Sequence, residues 1–444
     1  MSDSRRGNPL TRIVKAATKV EPHELNATLL SFLFVFVLMT AYFIMRPVRD
    51  AMASDWSDVE VSLLWTMTFF FSVIAVSVYG VAISLVRFRL LVPGVYAFFA
   101  SSFFLFFFGS TFIADPVLVD KGFYVWLSVF SLFHLSVFWS FMSDLFNKEQ
   151  APRLFGFIAT GASVGAIVGP LTTALLVESV GTDSLMLISA TMLMIPIPII
   201  LVLERLKQTT LGNEDISVDL SAQQAIGRNP FAGFSLFLKS PYLIGIGVFI
   251  LLYVAIGSFV WFELKNLLEV FTREERTQIW AYIDFTVNTL AIVTAMFVTS
   301  RITTRFGMAT TLALIPILMV IGMLVIALSP VVAVVAGMWI ARRAGNYAIT
   351  RPGREMLFTI VDRETRFKAK PVIDIVLYRG GDMISAWAFT LLTTVGGLGL
   401  GAVAAVGAVI AAIWAFVGAY LGRSYHRKAS VNSGAELNIN KGVS

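Results

Sequence analysis

Residues 241–262 read PYLIGIGVFILLYVAIGSFVWF, an unbroken apolar run without a single charged side chain. A helix of about 20 such residues spans the ~30 Å hydrocarbon core of a bilayer, so this stretch reads as a transmembrane helix. The pattern recurs along the chain. Apolar runs occupy approximately 26–49, 60–86, 90–114, 122–146, 153–177, 184–203, 241–268, 278–300, 308–328, 331–360, 371–395 and 398–422. That makes twelve, in two groups of six. Between the groups lies the one long polar stretch, Glu204 to Gln224. The sequence therefore predicts an all-α membrane protein with twelve transmembrane helices in two six-helix bundles. Its expected parts are a tail at 1–25, bundles at 26–203 and 241–423, a linker at 204–240 and a second tail at 424–444.

Composition agrees with this reading. Of 444 residues, 57% are hydrophobic and 14% charged, with 38 Phe and a mean hydropathy of +0.80. Soluble domains carry about 45–50% apolar and 25% charged residues. The excess excludes a soluble enzyme, a secreted disulfide scaffold and a nucleic-acid-binding domain. With no cysteine there is no disulfide, thiolate metal site or cysteine nucleophile. No cofactor and no metal is implied. The expected partners are a small anionic solute and membrane lipid, with the chain acting as a monomer.

Charge placement orients the spans, because Lys and Arg concentrate in cytoplasmic loops. Arg87 and Arg89 follow span 2, Lys148 and Arg153 span 4, and Arg205 and Lys207 span 6. Arg301 and Arg305 follow span 8, Arg363, Arg366, Lys368 and Lys370 span 10, and Arg423, Arg427 and Lys428 span 12. Opposite loops hold Asp55, Asp58, Glu60, Asp115, Asp120, Glu178 and Asp183; Arg273 and Arg276 are the main exception. The first 25 residues are basic, with neither an early apolar core nor a small-residue cleavage site. Both termini are thus expected in the cytoplasm, with the spans in an inner membrane.

Ionisable residues inside spans are costly and mark candidate sites. Near the end of span 1, Arg46, Arg49 and Asp50 stand at i, i+3 and i+4, hence on one helical face. They form either a charged helix end or a paired basic site. His134 in span 4 is a packing histidine or a proton relay. Small residues in span 5, Gly156, Gly161, Gly165 and Gly169, permit close helix approach and are expected at the seam between the halves. In span 7, Glu263 and Lys265 are two apart and cannot share a face. Asp284 in span 8 stands four before Asn288 and is either a proton carrier or an interhelix hydrogen-bonding group.

Spans 10 and 11 are densest in charge. Arg342, Arg343, Arg351 and Arg354 fall within about three turns, with Asn346, Tyr347 and Glu355 on broadly the same side as most of them. Arginine's rigid fork of donors matches carboxylate and phosphate, and two of the four are expected in a cavity. Lys370 and Asp374 at i, i+4, and Arg379 and Asp382 at i, i+3, are spaced to pair. The substrate-binding candidates are therefore Arg46, Arg49, Lys265, Arg343, Tyr347, Arg351, Lys370 and Arg379. The coupling candidates are Asp284, Asp374, Asp382, Glu263 and His134.

Two six-span halves around a cytoplasmic linker resemble the major facilitator superfamily, whose halves rock around a midplane site. Residues Ser300 to Gly307 (SRITTRFG) resemble that superfamily's basic loop between its second and third helices, repeated in the second half. Within that clan, three stretches resemble the ATP/ADP translocases of bacteria and plastids. They are Arg46-Pro47-Val48-Arg49-Asp50; Phe138-Trp139-Ser140-Phe141 ahead of Arg153-Leu154-Phe155-Gly156; and Lys368-Ala369-Lys370-Pro371-Val372-Ile373-Asp374 followed by Arg379-Gly380-Gly381. The resemblance implies phosphate-binding roles for Arg49 and Lys370. Acids that the family carries in spans 4 and 7 are Leu127 and Trp261 here, so it implies a secondary transporter of an anionic metabolite rather than ATP exchange as such. The residues also leave open a proton-coupled transporter of a larger anion, such as a siderophore or cell-wall fragment, and a membrane enzyme acting on lipid phosphates.

Overall fold

A segment in lipid must satisfy its own backbone N–H and C=O groups, which leaves helices as the solution for these apolar runs. The computed structural model describes residues 20–441 apart from 87, 114–115, 213–231, 298, 363–364, 366–368 and 371. At 84, 88, 232–234, 296–306, 374–375 and 429–441 it describes the backbone alone. Among the described residues all regular structure is helical.

The first half comprises α1 (Leu25–Met52), α2 (Asp58–Leu85), α3 (Phe88–Phe112), α4 (Val117–Leu145), α5 (Ala151–Met192) and α6 (Pro196–Leu206), the last running into a π-helical turn at Lys207–Leu211. The second comprises α7 (Pro241–Leu267), α8 (Arg273–Phe297), α9 (Thr299–Leu328), α10 (Val332–Gly345), α11 (Tyr378–Thr390) and α12 (Leu400–Lys441). α5 and α9 each break at a glycine in the positive-φ region, Gly181 (φ 76°) and Gly307 (φ 75°). A side chain is disfavoured in that conformation, so these two glycines fix where one helix stops and the next starts.

Among the described residues, eight stretches are long and apolar enough to cross a membrane. One of them, Ala151–Leu211, is 61 residues long and holds two of the expected spans on either side of Gly181. The other three expected spans are helical but polar or interrupted. α8 opens on Arg273, Glu274, Glu275 and Arg276. α10 passes through a π-helical segment at Asn346–Thr350 into Arg351–Leu357, and π-helical segments at Val372–Leu377 and Leu391–Val395 flank α11. Such π segments often sit at functional sites.

The chain divides into two compact units. The first holds residues 1–53, 70–219 and 271–285; the second holds 54–69, 220–270 and 286–444. In the first, a Cβ on Gly161, Gly165 or Gly169 of α5 would come 2.6, 2.5 or 2.7 Å from the carbonyl oxygens of Phe32, Phe36 or Thr40 on α1. The small-residue stripe is thus a close contact of α5 with α1 inside one unit, not a seam between sequence halves. The fully buried Phe34 stacks edge-on against Tyr96 and Phe138 beside it. The start of α8 belongs here too, through Arg273–Asp120 (2.9 Å) and a Gln278 amide donating to the Ala174 carbonyl (3.1 Å).

In the second unit, glycines of α12 do for α9 what α5 does for α1. A Cβ on Gly418 would come 2.8 Å from the Leu312 carbonyl oxygen, and one on Gly401 2.7 Å from that of Ala327. The start of α2 is packed into this unit. Trp65 lies 5.2 Å from Trp261, ring to ring, Ser62 and Thr390 share a hydrogen bond of 2.8 Å, and the Trp387 indole donates to Thr66 (3.0 Å).

Candidate functional site

In the first unit, α1 carries its charges where α4 and α8 meet it. The Asp50 carboxylate lies between two guanidiniums, 2.5 Å from Arg49 Nη2 and 3.8 Å from Arg46 Nε. Arg46 reaches on to Asp284 of α8 (3.5 Å), and Arg49 donates to the Ser128 hydroxyl of α4 (3.2 Å) and lies over the Tyr124 ring. Both aspartates are buried, and the arginines are exposed by only 14% and 15%. The cluster holds two cations and two carboxylates. An anion would replace a carboxylate partner here rather than fill an empty cationic pocket.

One turn before Arg46, Tyr42 stacks on His134 with 4.4 Å between ring centres. His134 is buried, and its Nδ1 has no hydrogen-bond partner among the described residues. Its carbonyl accepts from the Tyr96 hydroxyl (2.9 Å).

At the end of this unit where α1 and α5 begin, Arg153 forks onto Glu24 (2.8 and 3.1 Å). Burial raises the pKa of Glu24, but the hydrogen bonds from Arg153 and the Glu21 amide, with the charge of Arg153, outweigh it and hold it below the usual carboxylate range. Lys207 is buried and pairs with Asp144 (2.8 Å).

In the second unit, Lys265 is buried with three acceptors around its ammonium: Asp58 (3.3 Å), Asn266 (2.8 Å) and Glu269 (3.2 Å). These four side chains, with Thr393 and 398–400, line a polar cavity of about 360 Å³. Lys265 is a candidate ligand residue from sequence; here its ammonium has as many protein acceptors as protons. Glu263 is also buried, but neither of its carboxyl oxygens has a hydrogen-bond partner among the described residues.

The four arginines of the α10 region separate. Arg342 and Arg343 are buried, Arg351 is exposed, and Arg354 is half-buried beside Glu355 (3.3 Å). Tyr347 is 38% exposed, so the single shared face expected for these residues is not formed. The π-helical segment at 346–350 changes the angle per residue between Arg343 and Arg351, which removes the α-helical register. Arg343 lies over Trp339 and Tyr347.

Lys370 pairs with Glu355 (2.6 Å), and at 36% exposure it is only partly covered. The Asp374 side chain lies outside the described residues. Arg379 and Asp382 stand 3.8 Å apart, as their spacing suggests.

Ser128 and Asp58 complete these networks without having been singled out from the sequence, and Asp50, Glu355 and Arg342, read there as part of charged clusters, stood outside the binding and coupling candidates. Asp50 was visible through its i+4 spacing to Arg46. Asp58 and Lys265, 207 residues apart, carry no local signal of their contact.

Residues 27–352 match the family model described as Major Facilitator Superfamily. No curated protein matches the chain by sequence. Among solved structures, a bacterial homologue of the human lysosomal transporter Spinster, inward-facing and unoccupied, is 14% identical, with coverage of 92% of this chain and 99% of that one at a TM-score of 0.61. The nucleoside transporter NupG is 14% identical, covering 90% and 99% at 0.58. A POT family transporter in complex with 5-aminolevulinic acid is 11% identical, covering 89% and 96% at 0.61. At such identities the likeness is one of fold.

Proposed function

The chain belongs to the Major Facilitator Superfamily, and from that premise we propose that this membrane transporter is a secondary transporter moving an anionic metabolite by alternating access across an inner membrane, with both termini cytoplasmic. The observation that carries the reading is the withdrawal of guanidiniums from solvent in helices read as spans: Arg46 and Arg49 on α1, 14% and 15% exposed, and the buried Arg342 and Arg343 on α10. Cations at that depth are expensive and are kept where they meet a counter-charge. For the α1 arginines the counter-charges are the carboxylates of Asp50 on α1 and Asp284 on α8. The resemblance of Arg46–Asp50 and Lys370–Asp374 to ATP/ADP translocases supports a phosphorylated solute.

Proton coupling is the second part of the proposal, and Glu263 supports it. A fully buried carboxyl with no donor and no cation at either oxygen is suited to carrying a proton and poorly suited to remaining a charge. Asp284 and Asp382, by contrast, each meet an arginine.

Thermal unfolding of the purified protein tests the reading against a panel of nucleotides, sugar phosphates, carboxylates and siderophores, each beside a neutral analogue. A ligand at a hundred times its Kd adds about 2.7 kcal/mol. Stabilisation by members of the anionic set is expected. Stabilisation by the neutral analogues alone would refute the anion assignment.

A further inference from the structure

Two fully buried cations meet a carboxylate, Lys207 with Asp144 and Lys265 with Asp58, and the largely covered Arg46 meets Asp284. Arg342 meets no carboxylate among the described residues. It is 4% exposed, and its guanidinium makes one hydrogen bond, Nη2 to the Tyr253 carbonyl oxygen (2.8 Å). Its Nε is buried without a partner. The remaining contacts are the Tyr253 ring, 4.2 Å from the guanidinium carbon, and the Trp339 ring at 5.4 Å. Neither supplies a negative charge.

Space for this group is made by one glycine. A Cβ on Gly257 would collide with the Arg342 guanidinium, its central carbon included. Tyr253 and Gly257 are four residues apart on α7, so they present one face to the arginine, and both lie near the middle of that helix. The fold therefore forms a cradle at mid-helix for a guanidinium whose charge no carboxylate among the described residues answers.

We infer that Arg342, seated on Gly257 between Tyr253 and Trp339, is an oxyanion-binding residue that engages a carboxylate or phosphate of the transported solute. This rests on the anion-transport reading above. Aromatic faces hold the arginine in place without neutralising it, and a bound oxyanion accepts from the N–H donors that protein groups leave unused. Glu263, lower in the same helix and equally buried, is not its counter-ion, since no contact joins them.

The test is anion binding to the purified full chain, followed by thermal unfolding, with inorganic phosphate and acetate as probes beside the best anion of the panel. In Arg342→Gln the affinity should fall at least tenfold, while the ligand-free protein melts at the wild-type temperature or above it, because an uncompensated buried charge has been removed. A purely structural arginine gives the reverse: a lower ligand-free melting temperature and unchanged affinity. Gly257→Ala keeps the charge but displaces the guanidinium, and should weaken binding similarly. Affinity within twofold of wild type in both variants overturns the inference while leaving the transport reading standing. Failure of both variants to fold makes the cluster structural and overturns it as well. Absence of any anion effect on the wild type instead defeats the transport reading itself.

Discussion

Replacing Lys265 by Met separates a structural cation from a ligand-binding one. The ammonium is 1% exposed and is shared by Asp58, Asn266 and Glu269, with Asp58 12% exposed and Glu269 51%. Removing one partner of a buried pair costs about 3–5 kcal/mol, since the other charge is left behind. Two features reduce that figure here. Glu269 is solvated, and Asp58 keeps bonds from the Thr393 hydroxyl (3.1 Å) and the Asn266 amide (3.3 Å). The expected loss is therefore about 3 kcal/mol at the lower edge of that range. Asp58→Asn, which strands Lys265 on Asn266 and Glu269, should cost about 2 kcal/mol, each charged hydrogen bond contributing roughly 1.5–3. In the double variant the two losses should overlap, giving a coupling of about 1–3 kcal/mol. Thermal unfolding in detergent measures all four corners of the cycle, and anion affinity is measured on the same samples. Coupling below about 0.5 kcal/mol, within the scatter of independent sites, would refute the pairing. A tenfold loss of anion affinity in Lys265→Met would show the ammonium to be a ligand group instead.

Three other outcomes are expected. The folded-state pKa of Glu24 is held below its unfolded value, so the stabilisation from its pair with Arg153 is complete above the unfolded carboxylate range and lost as pH falls through the folded value; the gap in melting temperature between wild type and Glu24→Gln should be constant from neutral pH down to that range and close below it, and a gap that widens on acidification would contradict the sign. Gly165→Ala should lose about 1–3 kcal/mol from overpacking against the Phe36 carbonyl, whereas Gly156→Ala, with open space around it, should be neutral or slightly stabilising in a helix; equal melting temperatures in the two variants would remove the α1–α5 contact from the account. Glu263→Gln, nearly isosteric, should preserve folding and counterflow exchange but abolish uptake driven by a pH gradient, and retained pH-driven uptake would exclude Glu263 as the proton carrier.

The membrane-spanning fold was legible because lipid imposes one requirement on every span, and apolar length reports it directly. α1, α7 and α12 were plain for that reason. α8 and the α10–α11 region were legible from weaker apolar runs supported by the alternation of basic loops, since Arg273–Arg276, Arg342 and Arg343 dilute their hydropathy. Within the candidate site, contacts one turn apart could be read from spacing: Arg46 with Asp50, and Arg379 with Asp382. Lys370 shows the limit of that method, because its contact with Glu355, fifteen residues away, has no local spacing signal. Pairings such as Arg46–Asp284 and Arg342 with Gly257 depend on which helices pack together and at what height. Residue spacing within one helix contains neither. The same gap explains the small-residue stripe of α5, whose chemistry was plain and whose partner, α1, was not.

Solute counterflow in proteoliposomes tests the central claim, that this chain carries an anion, most directly. Vesicles containing the purified protein are loaded with the anion that most stabilises it, and entry of the labelled compound is followed with no ion gradient present. The account predicts transient accumulation of label above equilibrium in these vesicles and none in protein-free vesicles, with the overshoot abolished in Arg49→Ala. Accumulation of a neutral compound with no response to any anion, or an undiminished overshoot in Arg49→Ala, would contradict it.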